Sequence, residues 1–191
     1  EEGVISFKDV KTYNLDEYCG LPRSHPESYY SFMHRNLFSH VDIKEENVHI
    51  PCSEGDDLQK LCKEYNDMLN KATIDIQLLG IGANGHIGFN EPDSYFTASA
   101  HKVELAEETI KANARFFEKE SDVPRSAITM GMYGITTAAK VILLATGAAK
   151  APAIKKLLES DHVDPQLPCS ILHICEDATV IVDKDLYELT K

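Results

Sequence analysis

The residues best suited to chemistry lie in one glycine-rich loop, LLGIGANGHIGFNEP, at positions 78–92. This loop carries an imidazole, His86, and a carboxylate five residues later, Glu91, with the amides of Asn84 and Asn90 nearby. An imidazole exchanges protons near neutral pH, and a carboxylate beside it can orient the ring. Glycines allow a ligand to approach the backbone closely. We therefore expect proton-transfer chemistry at this loop.

The same loop also satisfies the G-x-G-x-x-G pattern of dinucleotide-binding proteins, through Gly80, Gly82 and Gly85. That pattern works only where a helix containing the third glycine packs on the preceding strand. Here Gly88 and Pro92 follow, and the polar stretch beyond them has no helical periodicity. We therefore reject a nicotinamide site and expect Gly80 and Gly82 to contact a small substrate.

Strands must position these groups. The apolar run at residues 74–79 predicts a buried strand that ends at the loop, and ligands bind at the carboxyl ends of strands in open α/β sheets. A second predicted strand, residues 10–14, leads to Asp16 and Glu17, which we expect on a turn. An acid in a turn is usually only solvated. Because Asp16 would lie on the same rim as His86, we assign a functional role to Asp16 and a structural one to Glu17.

Three blocks of sequence resemble the glucosamine-6-phosphate deaminases of the sugar-phosphate isomerase/deaminase family. The loop string G-x-G-x-x-G-H-I-x-F-N-E-P is the longest of them. Related 6-phosphogluconolactonases share the Gly-His pair but lack the Phe-Asn-Glu-Pro ending, so this ending favours the deaminase. The second block consists of NLDEY, GLP and HPESYY within residues 14–30, and the third is ANARFF at residues 112–117. The resemblance extends from about Val4 to Val182.

The resemblance implies a role for each polar residue of these blocks. Asp16 matches the family's enolising base, which moves a proton between C2 and C1 of the open-chain sugar. His86 and Glu91 match the residues that open the sugar ring. Some members have aspartate at the position of Asn84; asparagine can hydrogen-bond but cannot ionise, so it would position His86 or a sugar hydroxyl.

Two cations are candidate phosphate ligands, Arg115 by its match to the family and Lys150 from its position in the sequence. Arg115 is expected in the last turn of a helix at residues 107–117, and a guanidinium gives bidentate phosphate contacts. Lys150 is expected at the start of a helix at residues 150–159. A lysine is disfavoured at the positive end of a helix unless an anion binds there, and helix N-termini bind phosphate readily. We therefore expect a phosphate site at Lys150.

The implied reaction is the isomerisation and deamination of glucosamine 6-phosphate to fructose 6-phosphate and ammonia, in amino-sugar catabolism. It needs neither a metal nor a nucleotide cofactor. Two alternatives stay open. The same residues would serve a galactosamine-6-phosphate isomerase, because the sequence does not locate the contacts that distinguish the configuration at C4 of the sugar. The chain could also be a catalytically inactive module that binds sugar phosphates.

Family members carry a further N-terminal strand, a Thr-Gly-rich phosphate loop and a helix. Such a unit needs on the order of 30 residues. The chain begins Glu1-Glu2-Gly3, and its first predicted strand leads directly to Asp16. We therefore expect the N-terminal βαβ unit to be missing and the phosphate site to be incomplete, which keeps the inactive module open as an alternative.

Composition restricts partners and location. With 31 acidic against 19 basic residues, the net charge is −12, which argues against a nucleic-acid or anionic-membrane partner. The five cysteines form no C-x-x-C pair, as is typical of reduced thiols in a cytosol. No run approaches the roughly 20 apolar residues of a membrane span, and no signal peptide is recognisable. We expect a cytoplasmic protein; a homo-oligomer is compatible with the sequence.

Strands and helices alternate along the chain, which predicts an α/β protein: a Rossmann-like three-layer α/β/α sandwich with a mostly parallel sheet. At 191 residues, a single domain spanning 1–191 is expected. The irregular stretch 93–123 is a candidate lid over the site. The further predicted helices are residues 26–37, 58–72 and 135–139, and the further predicted strands are residues 103–105, 126–130, 141–145 and 178–182.

Overall fold

A computed structural model of the chain describes residues 5–191. These residues form two compact units. The first comprises the chain up to Tyr65 together with Lys102–Thr129, and the second comprises Asn66–His101 together with Met130–Lys191. In the described part of the chain, no helix is both long and apolar enough to cross a membrane.

The first unit contains short strands with parallel and antiparallel pairing. Strand β1 pairs in parallel with β3, and β2 pairs antiparallel with β6, so that Asp16 lies opposite Thr129. Strand β5 extends the second of these sheets in the order β2-β6-β5. The strand bounds are β1 Thr12–Tyr13, β2 Asp16–Tyr18, β3 Val48–His49, β5 His101–Glu104 and β6 Ser126–Thr129. The helices are α1 Tyr29–Asn36, α2 Leu58–Leu69, which continues into the second unit, and α3 Glu107–Asn113.

The second unit is built on a parallel sheet of order β4-β7-β8. The strands are β4 Ile76–Leu79, β7 Lys140–Ala145 and β8 Ala178–Val182, and the helices are α4 Met132–Thr136, α5 Ala151–Glu159 and α6 Lys184–Glu188. One face of this sheet is buried through Leu79, Val141, Leu143 and Ala145.

The other face of this sheet exposes large apolar side chains, although parallel sheets are usually covered on both faces. Ile76 and Leu78 on β4 are 61% and 56% exposed, and Leu144 and Ile181 on the neighbouring strands are 41% and 48% exposed. We call these four residues the open face. The prediction that residues 74–79 form a buried strand is therefore wrong for alternate positions, because a strand turns successive side chains to opposite faces.

The α/β class with mostly parallel pairing is confirmed, but several local predictions need correction. Asp16 and Glu17 lie in strand β2 and not on a turn, because their backbone pairs with the distant strand β6. Helix α1 begins at Tyr29, not at residue 26, because the Ser28 hydroxyl caps it by accepting from the Ser31 N–H. The helix expected at residues 135–139 is displaced to Met132–Thr136. The single domain and the lid at 93–123 stay predictions.

Candidate active site

The loop after β4 is shaped by its glycines. The Gly82 N–H donates to the His86 carbonyl at 2.9 Å, and the Gly85 N–H donates to the Gly82 carbonyl at 3.1 Å. A β-carbon at Gly82 would overlap the His86 ring, and Gly85 has a φ of +90° that favours glycine. Residues 80–92 contain no helix. The glycines therefore let the imidazole pack directly against the backbone.

Three polar side chains of this loop meet around one carboxylate oxygen. Glu91 Oε2 lies 3.1 Å from His86 Nδ1 and accepts a hydrogen bond from Asn84 Nδ2 at 2.8 Å. The His86 backbone N–H donates to Asn84 Oδ1 at 3.2 Å. The His86 and Glu91 side chains are 18% and 11% exposed. With Glu91 ionised, its carboxylate only accepts, so we assign the proton of the neutral His86 ring to Nδ1 and the lone pair to Nε2.

Hydrogen bonds from Asn90 and Cys169 hold the loop that carries the Asn84–His86–Glu91 triad in place. The Asn90 side-chain amide donates to the Ile87 carbonyl at 3.1 Å and to the Met130 carbonyl at 2.9 Å. The Cys169 N–H donates to the Gly85 carbonyl at 2.9 Å, from a 3₁₀ helix at Pro168–Ile174. Burial raises the pKa of the Cys169 thiol to about 12, so this thiol stays neutral at neutral pH. No periodicity in the amino-acid sequence predicts this segment.

Asp16 in the first unit is a buried carboxyl with unusual proton affinity. Burial, and then the negative charge of Glu17, raise its pKa from 3.8 to about 7. Tyr18, Tyr29 and Tyr65 surround it, and burial together with the charge of Asp16 raises the pKa of all three phenols. A carboxyl that titrates near neutral pH can both accept and return a proton under physiological conditions.

Glu17 is buried too, at 3% exposed, which fits the structural role expected for it. Its Oε1 accepts from the N–H groups of Tyr18 and Tyr29, and its Oε2 accepts from the N–H of Tyr30, each at 2.9 Å. Two of these donors belong to the first turn of α1. Glu17 thus satisfies amides that a helix leaves without intrahelical partners.

The two expected phosphate ligands lie just outside regular helices. Arg115 is exposed in a 3₁₀ turn, Ala114–Phe116, that follows α3, and its guanidinium lies 4.6 Å from the Phe116 ring centroid. It is therefore not in the last turn of a helix as predicted, because α3 ends at Asn113. Lys150 ends a 3₁₀ turn directly before α5, which begins one residue later than predicted. Arg115 and Asp16 belong to the first unit, and Lys150 belongs to the second.

Among the predicted catalytic residues, the structure brings the side chains of Asn84, His86 and Glu91 into direct contact, all within the second unit. In the first unit, Asn113 at the end of α3 donates to the Tyr18 hydroxyl at 2.9 Å. This bond ties the segment before Arg115 to strand β2, which carries Asp16. The sequence blocks contain Asn113 and Tyr18, but nothing in their spacing predicts that they meet.

Comparisons with known proteins identify the family of this chain. Residues 1–181 match the family described as glucosamine-6-phosphate isomerases/6-phosphogluconolactonase. The chain is 48% identical over 190 residues to the glucosamine-6-phosphate deaminase of Thermoanaerobacter sp. (strain X514), covering 99% of this chain and 75% of that protein. It is 48% identical over 184 residues to the glucosamine-6-phosphate deaminase of Clostridioides difficile (strain 630), covering 96% of this chain and 74% of that protein.

Solved structures of related proteins are similar to this chain as well. A monomeric glucosamine-6-phosphate deaminase superposes with a TM-score of 0.93 at 43% identity, covering 96% of this chain and 76% of that one. The 6-phosphogluconolactonase of Thermotoga maritima shares the fold, with a TM-score of 0.76 at 18% identity, covering 96% of this chain and 77% of that one. The chain therefore belongs to the glucosamine-6-phosphate isomerase/6-phosphogluconolactonase family.

Proposed function

We propose that this protein converts glucosamine 6-phosphate and water into fructose 6-phosphate and ammonia. The observation that carries the proposal is the Asn84–His86–Glu91 triad, in which a carboxylate orients an imidazole inside the glycine loop. Relatives that are nearly half identical over almost the whole chain and bear the name glucosamine-6-phosphate deaminase support it. The reaction would belong to amino-sugar catabolism in the cytoplasm.

The first step in this proposal is opening of the sugar ring. A proton must leave the anomeric hydroxyl and another must reach the ring oxygen as the C1–O5 bond breaks. His86 suits this transfer because Glu91 holds Nδ1 and leaves the lone pair of Nε2 for the substrate. The charge of Glu91 would stabilise the imidazolium that forms in between.

The second step is isomerisation by Asp16. The carboxylate removes the proton from C2 of the open-chain amino sugar and returns a proton to C1. O1 gains a proton and the nitrogen loses one, which leaves a hydroxyl at C1 and an imine at C2. Water then adds to C2, and ammonia leaves as the carbonyl of fructose 6-phosphate forms. A pKa of about 7 matches this task, because a group that must both take and give a proton works best near the ambient pH.

The substrate's phosphate requires cations in a chain whose net charge is −12. We propose Arg115 and Lys150 as its ligands. The exposed guanidinium of Arg115 could form a bidentate contact, and Lys150 precedes the N-terminus of α5, where an anion would relieve the unfavourable placement of a cation. Gly80 and Gly82 would let the sugar approach the loop backbone. The scheme uses no metal and no nucleotide.

The proposal is tested by incubating the purified protein with glucosamine 6-phosphate and measuring ammonia and fructose 6-phosphate in the same samples. We expect equal amounts of both products, and a strong loss of both in His86→Gln. Galactosamine 6-phosphate, run in parallel, tests the alternative substrate. Saturable binding of either sugar without any ammonia would contradict the proposal and favour a binding module.

A further inference from the structure

We propose that Glu17 is a positioning residue for Asp16: it fastens the first turn of α1 to strand β2 and keeps a negative charge beside the Asp16 carboxyl. This inference rests on the proposed role of Asp16 as the enolising base. It assigns a catalytic consequence to a buried acid that otherwise looks purely structural.

Glu17 connects strand β2 with the N-terminus of helix α1. Its backbone belongs to β2, where it follows Asp16 directly, while its carboxylate accepts from the Tyr29 and Tyr30 N–H groups at the start of α1. The Ser28 hydroxyl accepts from the Ser31 N–H at 3.1 Å in the same turn. A side-chain anion at a helix N-terminus is favoured by the helix dipole. Displacing Glu17 would therefore release α1 from the strand that carries Asp16.

The two neighbouring carboxyls are not equivalent. Burial raises the pKa of Glu17, but three backbone N–H groups and the Arg23 guanidinium act in the opposite direction by favouring its anion. For Asp16, burial and the charge of Glu17 both act to raise the pKa. We therefore expect Glu17 to ionise first as the pH rises, and Asp16 to be the carboxyl that binds and releases a proton near neutral pH.

The phenol groups around Asp16 carry no charge at neutral pH, in contrast to the Glu17 carboxylate. The titratable side chains that face Asp16 are the phenols of Tyr18 on β2, Tyr29 on α1 and Tyr65 on α2, and burial raises their pKa so that they stay neutral at pH 7. Strand β6 places the uncharged Thr129 opposite Asp16. Within the first unit, Glu17 is thus the charged neighbour that increases the proton affinity of Asp16.

The test compares Glu17→Gln with a matched control, Ser28→Ala, which weakens the same helix terminus without removing a charge. For each protein, kcat/KM for glucosamine 6-phosphate is measured against pH, together with Tm. We expect both variants to lower Tm. Only Glu17→Gln should move the acid limb of the profile to lower pH, because loss of the Glu17 charge lowers the pKa of Asp16. Glu17→Asp, which keeps the charge, should leave the limb close to the wild-type position.

An acid limb in Glu17→Gln that coincides with those of wild type and Ser28→Ala would overturn the proposal and leave Glu17 with helix capping alone. If Glu17→Gln does not fold, the side-chain carboxyl ¹³C resonances of wild type are titrated by NMR. The proposal requires Glu17 to titrate at lower pH than Asp16, and the reverse order overturns it. This titration needs no turnover, so it separates failure of the present inference from failure of the proposed activity.

Discussion

Replacing Asp16 by asparagine should stabilise the protein at neutral and alkaline pH while removing its activity. The wild-type carboxyl has a folded-state pKa of about 7 against 3.8 for an unperturbed group. Because the folded-state pKa is raised, folding is favoured by this group below pH 3.8, and that contribution is lost as the pH rises to about 7. At about 1.36 kcal/mol per pKa unit, the full loss is at most roughly 4 kcal/mol.

The measurement is the free energy of unfolding by urea at several pH values between 3.5 and 8.5, for wild type and Asp16→Asn. We expect the stability of the variant relative to wild type to increase across this range and to level off above about pH 7. Asp9→Asn is the control, because it removes an exposed carboxyl of the same type instead of a buried one. A stability difference for Asp16→Asn that is flat with pH would refute the raised pKa and the role built on it.

Three further predictions concern the glycine loop and the open face. Gly82→Ala should lower kcat/KM by about 10²-fold, because the new methyl group displaces the His86 ring; wild-type kinetics would contradict this. Glu91→Gln should lower kcat/KM roughly 10- to 10²-fold, because an amide makes weaker hydrogen bonds than a carboxylate. In a double-mutant cycle with His86→Gln, the two losses of kcat/KM should not add. Additive losses would mean that Glu91 does not act through the imidazole. Leu78→Lys should reduce binding of a hydrophobic fluorescent dye more than the control Leu158→Lys does. Leu158 is as exposed as Leu78, at 56%, but lies outside the open face. Equal reductions in dye binding would argue against a continuous apolar patch.

The glycine loop could be predicted from sequence because its chemistry is local. His86, Glu91 and Asn84 lie within eight consecutive positions, and the glycines between them allow the loop to fold back on itself. The triad of hydrogen bonds therefore follows from residues that are neighbours along the chain. The failed dinucleotide pattern was informative for the same reason, since the helix that it requires would have begun in the same stretch.

The surroundings of Asp16 could not be predicted in this way because they depend on distant pairing. Strand β2 is three residues long, and all three are buried, so it shows no alternation of polar and apolar side chains. Its partner β6 lies more than 100 residues further along the chain, with Asp16 opposite Thr129. The burial that raises the pKa of Asp16, and the three amides that converge on Glu17, both result from this pairing and from the position of α1.

The most direct test of the proposed reaction is exchange of the C2 proton. Glucosamine 6-phosphate carrying deuterium at C2 is incubated with wild type and with Asp16→Asn, and release of deuterium to water is followed together with ammonia. We predict that wild type releases or transfers the C2 label as ammonia forms, and that Asp16→Asn loses both processes by about 10²- to 10⁴-fold, the usual cost of removing a general base. Loss of the C2 label at the wild-type rate in Asp16→Asn would contradict the assignment of Asp16 as the base.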